Sequence, residues 1–174
     1  HNDGYIENRL GEDLNNANDY AGRVQFLYTP NDDVEFLLNG RYSMQEIRTG
    51  FFEHASAVTP GSRTPGLFNP VLGYLDSDGD VHAGDYDKEG HNDNETWGVT
   101  GTLKWDADGI LVTSITDFQS VERDYIEDSD GSPTPGFNFF VTTDAEQFSQ
   151  ELRISGDTDR IKWVTGFYYL DIAI

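Results

Sequence analysis

Residues 76 to 95 hold eight acids, Asp76, Asp78, Asp80, Asp85, Asp87, Glu89, Asp93 and Glu95, against a single base, Lys88. Within them Asp76-Ser77-Asp78-Gly79-Asp80 sets carboxylates at alternate positions around a glycine, an oxygen-rich pattern that suits a hard divalent cation. Asp76, Asp78 and Asp80 are therefore the candidate metal ligands, with calcium or magnesium as the ion. The twelfth-position Glu of an EF-hand and its flanking helices are missing, so a solvated acidic loop is the plainer reading of the same residues. Glu127-Asp128-Ser129-Asp130-Gly131 is a shorter version of the pattern. His1, His54, His82 and His91 show no spacing that would fix a metal, which needs several ligands and supporting partners. No nucleophile elbow, HExxH, phosphate-cradling loop or GxGxxG occurs, and nothing in the sequence brings Ser, His and Asp together. The chain does not read as an enzyme, and no organic cofactor is expected.

Aromatic residues offer a second kind of chemistry. Phe51, Phe52, Phe68 and Tyr74 lie in a long Pro- and Gly-bearing stretch that includes Thr64-Pro65-Gly66-Leu67-Phe68-Asn69-Pro70. Phe137, Phe139 and Phe140 form a second group. Long connections without structure of their own are commonly functional. Rings placed there can stack on a small molecule, or pack on one another and hold the loop down. All seven are candidate ligand contacts.

The elements that must position these groups are strands. No stripe with helical spacing is present, and alternation dominates. From Glu95 to Asp106, Trp97, Val99, Gly101, Leu103 and Trp105 share one face, while Thr96, Gly98, Thr100, Thr102, Lys104 and Asp106 share the other. Val34 to Met44 repeats this, with Val34, Phe36, Leu38, Gly40, Tyr42 and Met44 opposite Glu35, Asn39, Arg41 and Ser43, and Leu37 as the exception. Tyr20 to Tyr28 sets Val24, Phe26 and Tyr28 against Arg23 and Gln25. Phe148, Leu152 and Ile154 oppose Gln147, Ser149, Glu151 and Arg153, with Gln150 interrupting the apolar side. Ile161 to Tyr169 sets Trp163, Phe167 and Tyr169 against Lys162 and Val164. Ile110 to Tyr125 is a strand of ambiguous facing, because Ile110, Val112 and Phe118 have one parity and Leu111, Ile115 and Val121 the other. Gly4 to Leu10 is a weaker strand.

Two lengths of connection alternate along the chain. Thr29–Asp33, Asp106–Gly109 and Gly156–Asp159 are tight, with Asp, Asn, Gly and Pro at turn positions. Gly11–Asp19, Arg48–Asn94 and Glu127–Thr142 are long. In an up-and-down antiparallel sheet this puts tight turns at one end and long loops at the other, as in a transmembrane β-barrel. Each strand is long enough for the ~9–11 residues that cross a bilayer at a tilt. Aromatics near strand ends, including Tyr28, Trp105, Trp163 and Tyr169, suit the interface girdles. A β-sandwich with half-buried strands alternates equally well. The fold class is therefore all-β, an up-and-down antiparallel barrel segment of six or seven strands, with the sandwich as its rival.

Composition narrows the functions. The 174 residues carry 11 Lys plus Arg against 32 Asp plus Glu, a net charge of −21, and no Cys. Such acidity excludes a nucleic-acid binder that works by neutralising phosphate. The absence of thiols excludes a disulfide scaffold and Cys-ligated zinc. Aromatics make up 13% of the chain, more than a disordered acidic tail carries.

Several stretches, taken in order, resemble the early barrel strands of TonB-dependent outer-membrane receptors. They are Gly4-Tyr5-Ile6-Glu7-Asn8, then Gly22-Arg23-Val24-Gln25 running into Pro30-Asn31-Asp32-Asp33, then Thr113-Ser114-Ile115-Thr116-Asp117-Phe118. The most specific is Gln147-Phe148-Ser149-Gln150-Glu151-Leu152-Arg153-Ile154-Ser155 followed by Trp163-Val164-Thr165-Gly166-Phe167-Tyr168-Tyr169. The resemblance implies a plugged barrel of about 22 strands in the bacterial outer membrane. It implies energised uptake of a scarce nutrient, most often a ferric siderophore. The implied partners are outer-membrane lipid and lipopolysaccharide, the receptor's own plug domain and remaining strands, TonB, and a small-molecule substrate. Nothing here resembles the plug or the TonB-contacting segment, and the last residues, Leu170 to Ile174, lack the usual terminal aromatic. The expectation is an internal piece of the first half of one barrel domain spanning residues 1–174, with the plug and later strands outside this chain.

On that reading Trp97, Val99, Leu103 and Trp105 face lipid, and Thr96, Thr100, Thr102 and Lys104 face the lumen. Arg23, Glu35, Arg41, Lys104, Glu151, Arg153 and Lys162 line the lumen and seat the plug. The connection Arg48–Asn94 lies outside the cell. Divalent cations would relieve repulsion among its acids and bring Phe51, Phe52, Phe68 and Tyr74 over the barrel mouth. Two other readings stand beside this one. One is a secreted or surface β-sandwich that binds calcium or carbohydrate through acidic loops. The other is a complete eight-stranded outer-membrane barrel.

Overall fold

A computed structural model describes residues 3–50, 52, 54, 74, 76 and 80–174. Among them there is no helix. The strands are β1 (Glu7–Asn8), β2 (Asn18–Asn31), β3 (Val34–Thr49), β4 (Ala83–Gly84), β5 (Gly90–Asp106), β6 (Ile110–Asp128), β7 (Asn138–Asp157) and β8 (Lys162–Ala173). Six of them form one up-and-down antiparallel sheet in the order β2-β3-β5-β6-β7-β8. Among the described residues the sheet does not close into a barrel, and β2 and β8 are its edges.

The strands outrun their sequence limits. β5 begins at Gly90 and β7 at Asn138, inside stretches expected to be loop. Polar residues such as His91, Asn92 and Asp93 have low strand propensity, but pairing with a neighbouring strand outweighs it. The weak strand expected over Gly4–Leu10 shrinks to Glu7–Asn8. It pairs in parallel with β4, Glu7 opposite Ala83 and Asn8 opposite Gly84.

The residues group into two compact units. The second comprises 20–44, 95–122 and 143–174 and contains the three tight turns. The turn before β6 bends through Asp108 and Gly109 at φ 55° and 86°, left-handed values that Asp and Gly adopt most easily. The turn before β8 is closed by Thr158, whose N–H donates to the Ile161 carbonyl at 2.9 Å and whose Oγ1 accepts from the Ile161 N–H at 3.1 Å. Between β7 and β8 the register is unbroken from Glu146 opposite Ala173 to Asp157 opposite Lys162.

This unit contains no buried hydrophobic side chain. Trp97 and Phe118 pack ring on ring at 5.3 Å, which puts Ile110, Val112 and Phe118 of β6 on the face of Trp97 and settles the ambiguous parity. Phe148 and Tyr169 meet at 6.3 Å on the same face. That apolar face stays open: Val99 is 41% exposed and Leu103 40%.

The first unit comprises 1–19, 45–94 and 123–142, and it holds the buried apolar residues. Ile6, Leu14 and Tyr86 form a small cluster, with Leu14 wholly buried. Asn15, at a left-handed φ of 56°, donates through Nδ2 to the Gly50 carbonyl at 2.9 Å and accepts from the Gly50 N–H at 3.2 Å. Arg48 reaches the Asp13 carbonyl at 2.8 Å, the Asp3 carbonyl at 3.2 Å and the Glu12 carboxylate. These bonds tie residues 3–15 to the end of β3.

Candidate functional site

The sheet unit presents a bonded polar face. Arg41 of β3 donates through Nη1 to Thr100 Oγ1 at 2.8 Å and to Asp117 Oδ1 at 3.0 Å. Its Nη2 donates to Asp117 Oδ2 at 3.2 Å and to Gln119 Oε1 at 3.1 Å. The pair with Asp117 is a two-pronged Arg–carboxylate contact, the stronger kind of ion pair. Thr100 also donates to Asp117 at 2.5 Å. Gly98 makes room for this cluster: a Cβ there would stand 2.7 Å from the guanidinium carbon. Lys104 and Glu35 pair at 2.8 Å, Arg153 and Glu151 at 2.8 Å, and Lys162 and Asp157 at 3.0 Å. Arg23 shares a shallow depression with Arg41, Ser43 and Thr96. Six of the seven charges singled out from the sequence, all but Arg23, are thus held in ion pairs.

The apolar side is not free of polar groups: Asp171 stands opposite Phe148, and Gln150 lies among hydroxyls. Thr116 donates to Gln150 Oε1 at 2.6 Å, and Gln150 Nε2 donates to Ser114 Oγ at 3.0 Å. Gln150, which interrupts the apolar parity of β7, is satisfied by the two hydroxyls on the neighbouring strand.

In the first unit Arg9 bridges two acids of the acidic stretch. Its Nε lies 2.6 Å from Asp85 Oδ1 and its Nη2 3.6 Å from Asp76 Oδ1. Tyr74 donates its hydroxyl to Asp85 Oδ2 at 2.8 Å. The hydrogen bond from Arg9 holds the Asp85 carboxyl below the usual range, and burial pushes the Tyr74 phenol up, with Asp85 adding to it. The stretch is thus not balanced by Lys88 alone. Arg9, more than 60 residues away in sequence, supplies charge that no local window reveals.

Of the candidate metal ligands, Asp76 turns to Arg9, and Asp80 accepts from the His82 N–H at 3.0 Å; Asp78 lies outside the described residues. Among the described residues no group of three or more His, Asp or Glu is gathered to hold a metal. Of the candidate ligand contacts, Phe51 and Phe68 also lie outside the described residues. Tyr74 is buried and packs edge-on to His54 at 5.1 Å, so its ring is not free to stack on a ligand. Phe52, Phe137 and Phe139 are exposed, and Phe140 is 74% exposed. Phe139 meets Tyr125 at 6.0 Å, and Arg123 lies 4.9 Å over the Tyr125 ring. Phe139 and Phe140 belong to β7, not to a loop.

The short acidic run Glu127–Gly131 leads from the end of β6 into the turn before Phe137. Asp128 is 3% exposed. Its Oδ1 accepts from the N–H groups of Gly131 at 2.9 Å and Asp130 at 3.2 Å. Burial, with the carboxylates of Asp130 and Asp87 nearby, pushes its carboxyl up to about 6. Asp130 accepts from the Phe137 N–H at 2.5 Å, so the acids of this turn fix the start of the exposed aromatic group.

No family model, curated protein or solved structure matches this chain.

Proposed function

We propose that this chain is a segment of an outer-membrane β-barrel receptor of the TonB-dependent kind, a transporter for energised uptake of a scarce nutrient such as a ferric siderophore. One observation carries the reading. The sheet unit buries no hydrophobic side chain, while its polar face is knit together by Arg41, Asp117, Thr100 and Gln119. In a sandwich the apolar face is the one that packs. A strand that lies between lipid and a polar interior has the opposite need: its apolar side meets solvent hydrocarbon, and its polar groups must find partners inside. β2, β3, β5, β6, β7 and β8 all exceed the ~9–11 residues a tilted strand needs to cross the membrane. The open edges β2 and β8 call for further strands of the same barrel, since unpaired edges aggregate. The long connections then face the outside of the cell and carry Phe137, with Phe139 and Phe140 close to the outer interface. The charged polar face seats a plug and lines the transport path.

The test uses the native protein in its own cells. It should sediment with outer membranes and require detergent for release. Deletion of its gene should abolish uptake of a ferric complex that a protonophore also blocks in the parent strain. Recovery of the protein in the soluble fraction without detergent would overturn the membrane reading. Membrane location with uptake unaffected by a protonophore would overturn the energised-receptor reading.

A further inference from the structure

β6 ends in an acidic turn that runs from Asp128 to Gly131. Two carboxylate oxygens there, Asp128 Oδ2 and Asp130 Oδ1, are enclosed and accept no hydrogen bond from the protein. An enclosed carboxylate oxygen without a donor is costly. Among the described residues no Lys or Arg pairs with either acid. The remaining oxygens of both side chains are already engaged by backbone N–H groups, which fixes the two acids in place. Asp87 is close as well: its N–H donates to the carbonyl of the wholly buried Ser132 at 3.3 Å. The carboxylates of Asp130 and Asp87 lie close enough to Asp128 to act on its charge.

We propose that Asp128 and Asp130 form a divalent-cation site, with calcium the best-suited ion, in which Asp128 Oδ2 and Asp130 Oδ1 are the side-chain ligands. Calcium accepts irregular sets of oxygens and completes its shell with water, so the two carboxylates would supply the charge and water most of the remaining ligands. This site is distinct from the Asp76–Asp80 stretch, where Arg9 already neutralises Asp76. The ion tightens the turn through Asp130, which holds the Phe137 N–H, while the Ser129 N–H holds the Phe137 carbonyl at 3.1 Å. The exposed rings of Phe137, Phe139 and Phe140 therefore depend on its occupancy. The site stands whether or not the strands cross a membrane.

Calcium titration of the purified native protein, followed by calorimetry and by proteolysis within residues 129–137, tests the proposal. Wild-type protein should bind calcium and become protected there, more strongly than with magnesium. Asp128→Asn and Asp130→Asn should each weaken binding by about tenfold or more, since even outer partners of a metal contribute 10–100-fold. Asp80→Asn removes one acid elsewhere and should leave binding unchanged. Absence of calcium binding in wild type would overturn the proposal whatever the variants do. So would equal weakening by all three substitutions, which would mark a diffuse charge effect.

Discussion

Gly98→Ala in β5 should change sign with its partner. In a strand, alanine normally gains about 0.5–1 kcal/mol over glycine by restricting the unfolded chain. Here the new Cβ would stand 2.7 Å from the Arg41 guanidinium carbon, far inside contact distance. The guanidinium is the flexible end of its side chain and can swing aside, but only by giving up its bonds to Thr100, Asp117 and Gln119. The Arg41 and Asp117 side chains are 33% and 17% exposed. Their pair therefore lies between an exposed one, worth at most about 1 kcal/mol, and a buried one, whose breakage costs about 3–5 kcal/mol. Arg41→Met should cost about 2–3 kcal/mol on that scale. Gly98→Ala should cost about 1–2 kcal/mol in the wild type, once the helpful entropy is subtracted. In the Arg41→Met background the obstacle is gone, and Gly98→Ala should be neutral or stabilising. Urea unfolding of the four proteins in one detergent closes the cycle. Equal cost for Gly98→Ala with and without Arg41 would refute the reasoning.

Other expectations follow from the same geometry. Val99→Arg, on the open apolar face, should destabilise the membrane-inserted protein by about 2–4 kcal/mol, whereas Thr102→Arg on the polar face should cost far less; unfolding from bilayers measures both. Thr102 is the better control because the Thr100 hydroxyl is committed to Arg41 and Asp117. Asp128 is pushed up to about 6 by burial, so the folded turn holds a proton that the unfolded chain, at about 3.9, releases. Its contribution is full below the unfolded value and is lost as pH rises through about 6. In chelator, amide exchange over residues 129–137, corrected for intrinsic rates, should be slower at a pH near 5 than well above 6, and Asp128→Asn should flatten the dependence.

Legibility in the sequence followed the distance over which each feature is decided. β5 could be read directly because every alternate residue from Trp97 to Asp106 agrees, and β3 from Val34 to Met44 departs only at Leu37. β6 could not, since Ile, Leu and Val occupy both parities and only the Trp97–Phe118 contact separates the faces. Gln150 looked like an error in the pattern; two hydroxyls on β6 explain it. The pairing of β1 with β4 and the bond from Arg9 to Asp85 join residues about 76 apart, and composition near either partner gives no sign of them. Tyr74 shows the same gap at the candidate site. Its residue type suggested a ring for stacking, whereas its hydroxyl anchors Asp85. The charges of the polar face were legible by parity, but the convergence of Thr100, Asp117 and Gln119 on Arg41 belongs to the register between strands.

In the proposed barrel segment the open apolar face must meet lipid. The chain has no Cys, so single substitutions Val99→Cys, Thr102→Cys and Leu103→Cys can each carry a nitroxide in the protein reconstituted into bilayers. Collision rates with oxygen, which concentrates in hydrocarbon, and with a water-soluble nickel chelate report what each site faces. Lipid contact gives strong oxygen and weak nickel accessibility at 99 and 103, and the reverse balance is expected at 102. Nickel accessibility as high at 99 and 103 as at 102 would contradict it.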